Sequence, residues 1–282
     1  MKPTTAVIFA AGTGSRMFPV TSAVQKELLP IGNRPVVDYI VADLVAAGIK
    51  RIIFVIRPGQ NGLKDYYVGN ADLEQRLKLL GKTADLAMLD AIHRQAAFEF
   101  VEHPVSAGYG TAIPLLLALP LLNPEEPVVV CGGDDFVWHT DGSSEMSRLI
   151  ETFVSSGGEG AVTAIELPPA QIGAYHTIST KKNGQYDYLV DFSSDAHSKA
   201  AVSNLVNISK YVLNGPLREY VKSVQPQAGS GESFITDAIT TGAKTHPVAI
   251  HRASGEYLDT GNPESWFRAN QVIAEASAKK AR

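Results

Sequence analysis

Residues 6–16 set the tightest constraint on this chain. An apolar, β-rich run, Ala6-Val7-Ile8-Phe9, empties straight into a glycine loop, Ala10-Ala11-Gly12-Thr13-Gly14-Ser15-Arg16. Small residues let a backbone approach phosphate oxygens closely, and glycine permits the positive φ values that aim successive N–H groups inward. Arg16 and, further on, Lys26 add a planar fork of donors and a point charge. Strand, loop and two cations together suit a triphosphate. A plain tight turn after a first strand would use the same glycines, so other matches have to decide.

Two better-known nucleotide motifs are excluded. The dinucleotide fingerprint G-x-G-x-x-G needs a third glycine where Met17 stands. Gly81-Lys82-Thr83 imitates the end of a P-loop, but Arg76 occupies its first glycine position and the Leu-rich run before it has helical character. Gly81 reads instead as a helix C-terminal glycine.

Apolar runs alternate with segments of helical period along most of the chain, which predicts an α/β fold with a mostly parallel sheet. Strands are expected at 6–10, 51–56, 98–102, 128–131 and 161–166, and helices at 36–47, 109–119, 144–155, 217–223, 234–241 and 263–278. The segment 73–94 is Leu-rich, charged and helical in period. Beyond Pro168 the pattern turns β-rich, with runs at 177–179, 186–190, 206–211, 248–251 and 257–258. With 282 residues the chain suits one large domain: a half at 1–167, a β-rich half at 168–262, and a C-terminal helix and tail at 263–282. A net charge of −4 and the lack of a long basic run argue against a nucleic-acid surface. The longest apolar stretch, 113–122, carries Pro114 and Pro120 and is too short to cross a bilayer. The first strand begins within five residues of the N-terminus, so no secretory leader is expected. A single cysteine, Cys131, excludes an intramolecular disulfide and suits a reducing, cytoplasmic setting as a small core filler.

Gly12-Thr13-Gly14-Ser15-Arg16 and Gln25-Lys26-Glu27-Leu28-Leu29-Pro30 resemble two blocks of the sugar-phosphate nucleotidyltransferase family, and within it of the bacterial glucose-1-phosphate uridylyltransferases. Matching blocks continue in the same order: Arg34-Pro35, Gly108-Tyr109-Gly110-Thr111-Ala112, Gly132-Gly133-Asp134-Asp135, Ser203-Asn204-Leu205, Phe234-Ile235-Thr236-Asp237 and Leu258-Asp259-Thr260-Gly261-Asn262. They span roughly residues 5 to 275. The helical segment 73–94 resembles an insertion of the uridylyl branch. The resemblance implies a Rossmann-like, mostly parallel twisted sheet with flanking helices and a β-rich sugar-binding portion, the nucleotide-diphospho-sugar transferase fold. It also implies homo-oligomers, dimers or tetramers.

Such enzymes join a sugar 1-phosphate to the α-phosphorus of a nucleoside triphosphate and expel pyrophosphate. The attacking oxygen belongs to a phosphate already ionised at neutral pH, so catalysis is alignment plus charge neutralisation. That fits the lack of an H-E-x-x-H run or a G-x-S-x-G elbow among the seven histidines and the serines. By resemblance, Arg16 and Lys26 are catalytic, and Ala10, Ala11, Gly12, Thr13, Gly14, Ser15, His103 and Gly108 bind the nucleotide. Asp134 and Asp259 would hold Mg²⁺, a cation that favours one or two carboxylates plus substrate phosphates. Asp135 is expected beside them as a supporting or helix-capping group. Gly173, Asp191 and Asn204 are carried over to the sugar, where a carboxylate can accept two hydroxyls.

Three positions depart from the family. Its V-E-K-P segment reads Val190-Asp191-Phe192-Ser193, without the lysine that grips the sugar phosphate, leaving Lys181, Lys182, Lys199 or Lys210 to replace it. His103 stands where relatives read uracil with glutamine, and Gln25 replaces a proline before the loop lysine. The expected activity is transfer from UTP to glucose 1-phosphate. The alternatives are another base or sugar (dTTP, ATP or GTP) and a non-catalytic protein that binds nucleotide sugars.

Overall fold

The computed structural model describes residues 1–193 and 203–280. Nine strands form its main sheet: β1 (Thr5–Ala10), β2 (Arg51–Ile56), β3 (Ala97–Glu102), β4 (Val128–Gly132), β5 (Gly160–Glu166), β6 (Thr177–Asn183), β7 (Tyr186–Ser193), β8 (Leu205–Leu213) and β9 (Val248–Arg252). Their order across the sheet is β3-β2-β1-β4-β8-β5-β9-β7-β6. Pairs β3–β2, β2–β1, β1–β4 and β5–β9 are parallel, whereas β8 and β7 run antiparallel to both of their neighbours in that order. Strand β8 lies between β4 and β5, so residues beyond 168 share one sheet with those before it.

The central strands are apolar on both faces because both are covered. Val7, Ile53, Val55 and Val130 pack under α2 (Ala112–Ala118) and α4 (Ile235–Ala243), while Ile8, Ile52, Phe54 and Cys131 pack with α1 (Val36–Ala46) and α3 (Glu145–Ser156). Helix α3 shows the logic in full. Met146, Leu149, Ile150 and Phe153 bury one stripe, the Ser144 hydroxyl accepts the Ser147 N–H at its start, and Gly157 ends it at φ 66°.

Most elements fall within a residue or two of expectation, and the differences have local causes. The helix expected from 109 begins at Ala112, because Gly108 and Gly110 take φ of 95° and 117° and Tyr109 makes a β-bridge with Glu232. Segment 73–94 is two helices, Ala71–Leu79 and Thr83–His93. At their junction the Gly81 N–H reaches the Lys78 carbonyl and the Lys82 N–H reaches that of Leu77, with Gly81 at φ 67°. This is a Schellman ending. Asp135–Trp138 is a strand rather than a helix start, and it pairs antiparallel with Glu256–Asp259 in a separate ribbon. A short helix at Gly62–Tyr67 carries no periodic signal of its own. Among the described residues, no helix is long and apolar enough to cross a membrane.

Candidate active site

The glycine loop leaves β1 at Ala10 and folds back through Gly14, which sits at φ 65° and whose carbonyl accepts the Thr21 hydroxyl at 2.7 Å and the Met17 N–H at 2.8 Å. Gly12 serves a different purpose. A Cβ there would stand 3.3 Å from Lys26 Cε, so its missing side chain leaves room for the lysine to cross the loop. Lys26 opens a short 3₁₀ turn and donates from Nζ to Asp134 Oδ2 at 2.6 Å. Asp134 lies just beyond β4, after Gly133, where a Cβ would press on the Phe9 carbonyl at 3.1 Å and on Glu27.

This corner is electrostatically tight. Burial works against the Lys26 ammonium, but Asp134 and Glu27 outweigh it and hold its pKa above the usual lysine value. Burial likewise opposes ionisation of Asp134, yet Lys26 keeps that carboxyl below its ordinary range. Glu27, 1% exposed, is pushed up to about 7 by the same desolvation, with Lys26 pulling it down. Asp135 rises to about 6 through burial, offset in part by Lys210.

Asp259 ends the second strand of the ribbon and faces Asp135 in its register. Its Oδ1 accepts the Gly261 N–H at 2.8 Å and its Oδ2 accepts the Tyr175 hydroxyl at 3.3 Å. A cavity of about 370 Å³ brings together Ala11, Gly12, Arg16, Lys26, His103, Asp134 and Asp259. Ala10 closes β1, and Thr13, Gly14 and Ser15 complete the loop outside the lining. Gly108 is not in the lining either, but its carbonyl lies 2.9 Å from His103 Nε2. A carbonyl only accepts, so Nε2 carries the proton there, and Nδ1 is buried with no hydrogen-bond partner among the described residues.

The sugar-side residues carried over from the family are not in this cavity. Gly173 lies in the turn Ile172–Ala174, and Asp191 is exposed on β7 with Thr240 as its hydroxyl neighbour. Asn204 is exposed and gives its carbonyl to the Leu167 N–H. Nor is Lys210 free to replace the absent lysine: 3% exposed, it donates to Asp135 Oδ2 at 2.6 Å and to the carbonyls of Asp135 and Ile208. Asp135 is thus the partner of a buried lysine, not a helix cap. Lys181 and Lys182 are exposed on β6, and Lys199 lies outside the described residues. Among the described lysines and arginines, Arg16 and Lys26 line the cavity.

Five polar lining residues escape the motif reading: Tyr175, Asn207, Ser209, Glu232 and Tyr257. Asn207 and Ser209 sit where the pairing of β8 with β5 breaks between Asn207 and Tyr211. Ser209 takes φ 51°, a left-handed value costly for a residue with a Cβ, and its N–H is held by Asn207 Oδ1 at 3.1 Å. The available signal was three polar residues, Asn207, Ser209 and Lys210, inside an otherwise apolar strand.

The two carboxylates fit a hard divalent cation in their chemistry. Both are oxygen donors on one cavity, and Asp134 already holds a cationic group, the Lys26 ammonium.

Comparison with known proteins bears on the family and the fold. The nucleotidyl transferase family matches residues 5–276. A protein of Streptococcus pneumoniae named UTP--glucose-1-phosphate uridylyltransferase is 30% identical over 269 residues, covering 94% of this chain and 88% of its own. One of the same name from Pseudomonas aeruginosa is 28% identical, covering 94% of both chains. A solved structure described as UTP-bound UGPase from Acinetobacter baumannii superposes with a TM-score of 0.85 at 24% identity, over 96% of this chain and 93% of that one. At that identity the superposition establishes the fold.

Proposed function

The chain belongs to the nucleotidyl transferase family, and from that membership we propose that it is a UTP–glucose-1-phosphate uridylyltransferase. It joins glucose 1-phosphate to UTP and releases pyrophosphate, leaving UDP-glucose. The observation that carries the reading is the meeting of Arg16 and Lys26 with Asp134 and Asp259 in one cavity at the mouth of the glycine loop.

An ionised sugar phosphate is its own nucleophile, so the site need only align two anions and neutralise them. Lys26 contributes a compact cation held between Asp134 and the loop. Among the described residues no acceptor takes a hydrogen bond from Arg16, so its fork is available to the triphosphate. Loop N–H groups supply the remaining donors where negative charge develops. Asp134 and Asp259 would hold Mg²⁺, which when bound supplies further neutralisation of the phosphates. On the acceptor side, Asn207 and Ser209 offer polar groups beyond Asp134, since β8 lies one strand further from β1 than β4 does, and Tyr175 and Tyr257 add theirs from the same lining. We take the working form to be a homo-oligomer, as the resemblance implies, in the reducing cytoplasm that a single cysteine suits.

Pyrophosphate release is measured with glucose 1-phosphate and each of UTP, dTTP, ATP and GTP, with Mg²⁺ and with EDTA. Turnover with UTP that EDTA abolishes is expected. Turnover with another base and none with UTP overturns the assignment, and tight binding of UDP-glucose without turnover from any pair makes the chain a binding protein.

A further inference from the structure

Asp134 and Asp259 come from blocks 125 residues apart in numbering, so something has to fix their spacing. The carbonyl of Asp134 accepts two hydrogen bonds, and both come from Thr260: its hydroxyl at 2.6 Å and its backbone N–H at 3.1 Å. Thr260 is 1% exposed and follows Asp259 directly. The backbone bond extends the ribbon by one pair beyond Asp259 and Asp135. The hydroxyl bond adds a side-chain hold on the same carbonyl.

We propose that Thr260 is a positioning residue whose hydroxyl fixes the backbone of Asp134 relative to Asp259, and so sets the geometry in which the two carboxylates take a divalent cation. The inference rests on the metal reading given above. Thr260 itself does not line the cavity, so it acts through its neighbours. Without the hydroxyl, the Asp134 carbonyl keeps one donor and the segment Gly133–Asp134 can rotate. Lys26 would still hold one carboxylate oxygen, but the second ligand would no longer be presented at a fixed distance. Groups that orient metal ligands from behind contribute about 10- to 100-fold in metal affinity.

The test titrates Mn²⁺ into protein holding UTP, without sugar phosphate, and follows the free ion by its EPR signal. Thr260→Val, which keeps shape and removes the hydroxyl, is expected to weaken Mn²⁺ binding about tenfold or more. Thr260→Ser is expected to restore it to within about twofold of the parent. Melting temperatures in EDTA are recorded alongside, because a merely structural role would lower those and leave Mn²⁺ affinity unchanged. If Thr260→Val does not fold, Thr260→Ala takes its place against Thr260→Ser. Unchanged affinity in the folded valine or alanine variant overturns the proposal, as does failure of serine to rescue. Asp134→Asn separates the two layers. If the parent retains no more Mn²⁺ than UTP alone and Asp134→Asn changes nothing, the metal reading fails and takes the positioning role with it. If Asp134→Asn abolishes binding while Thr260→Val does not affect it, only the positioning role fails.

Discussion

Lys26 and Asp134 lie 108 residues apart in the chain and meet at 2.6 Å between Nζ and Oδ2. Each is largely buried, and each would be expensive to leave without the other. The pair joins the segment after β1 to the end of β4, neighbouring strands of the sheet, so the loop that faces the triphosphate is fixed to the carboxylate beside it. Removing the lysine therefore does two things. It takes a cation from the reaction and leaves Asp134 as an uncompensated buried charge.

Lys26→Ala is expected to lower turnover by about 10²- to 10³-fold, the cost of removing one preorganised group that meets developing charge. It should also lower the melting temperature. Lys26→Ala combined with Asp134→Asn should recover much of the stability and none of the activity. Single-turnover kinetics and thermal denaturation of the three variants check both halves. A double mutant no more stable than Lys26→Ala would show that the ion pair is not what holds the loop.

Gly261 makes a prediction about Arg16. A Cβ at Gly261 would stand about 2.5 Å from Arg16 Nη2, and the backbone there does not take a positive φ, so the glycine is present for space. Gly261→Ala should push the guanidinium off its seat and raise the KM for the triphosphate roughly tenfold, as expected for a displaced charge-assisted hydrogen bond. The KM for the sugar phosphate should change much less. Initial rates with each substrate varied in turn measure the split, and equal effects on both would argue that Asp259 rather than Arg16 had moved.

The parts of this site legible in the sequence are those whose chemistry is carried by local pattern. The run Ala6–Phe9 into Gly12 and Gly14 announces a strand and a loop, and Asp134 and Asp259 each follow a run that could end at a sheet edge. The glycine loop also shows where pattern misleads. Of its two glycines only Gly14 uses a positive φ, whereas Gly12 clears a path for Lys26, a contact no local pattern encodes. The sugar side was less legible for a related reason. Asp191 aligns with a family carboxylate, yet β7 leaves it exposed, outside the cavity. Asn207 and Ser209, which do line the cavity, come from the irregularity in β8. A register break moves side chains from one face to the other, and Ser209 at φ 51° gives no warning of it, since glycine or asparagine would be expected there.

Cys131 offers a check on the core. It is fully buried in β4 opposite Ile8 of β1, and burial pushes its thiol up to about 12. Since the thiolate is the reactive form, native protein should react with an aromatic disulfide reagent at least about a hundredfold more slowly than denatured protein at the same pH. One thiol per chain should then appear on denaturation. Rapid labelling of the native chain would mean that β4 is not held between its neighbours as described.

Glu27 makes the stability of the fold depend on pH. In the unfolded chain a glutamate ionises near pH 4, whereas in the folded chain burial moves this carboxyl to about 7. Between those values the folded state holds a proton that the unfolded state has released, so stability falls as pH rises from about 4 to about 7 and is flat on either side. Glutamine has the shape of the protonated acid and does not ionise. Glu27→Gln should therefore match the parent at pH 4, and exceed it increasingly up to pH 7–8, by about 3 to 4 kcal/mol given 1.36 kcal/mol per pKa unit. The nearby Lys26 keeps Asp134 as its partner in this variant, so the ion pair at the loop survives the change. Chemical denaturation of both proteins at pH 4, 6 and 8 measures the difference. A gap that is constant with pH would show that Glu27 ionises normally and that its burial is compensated by groups other than Lys26.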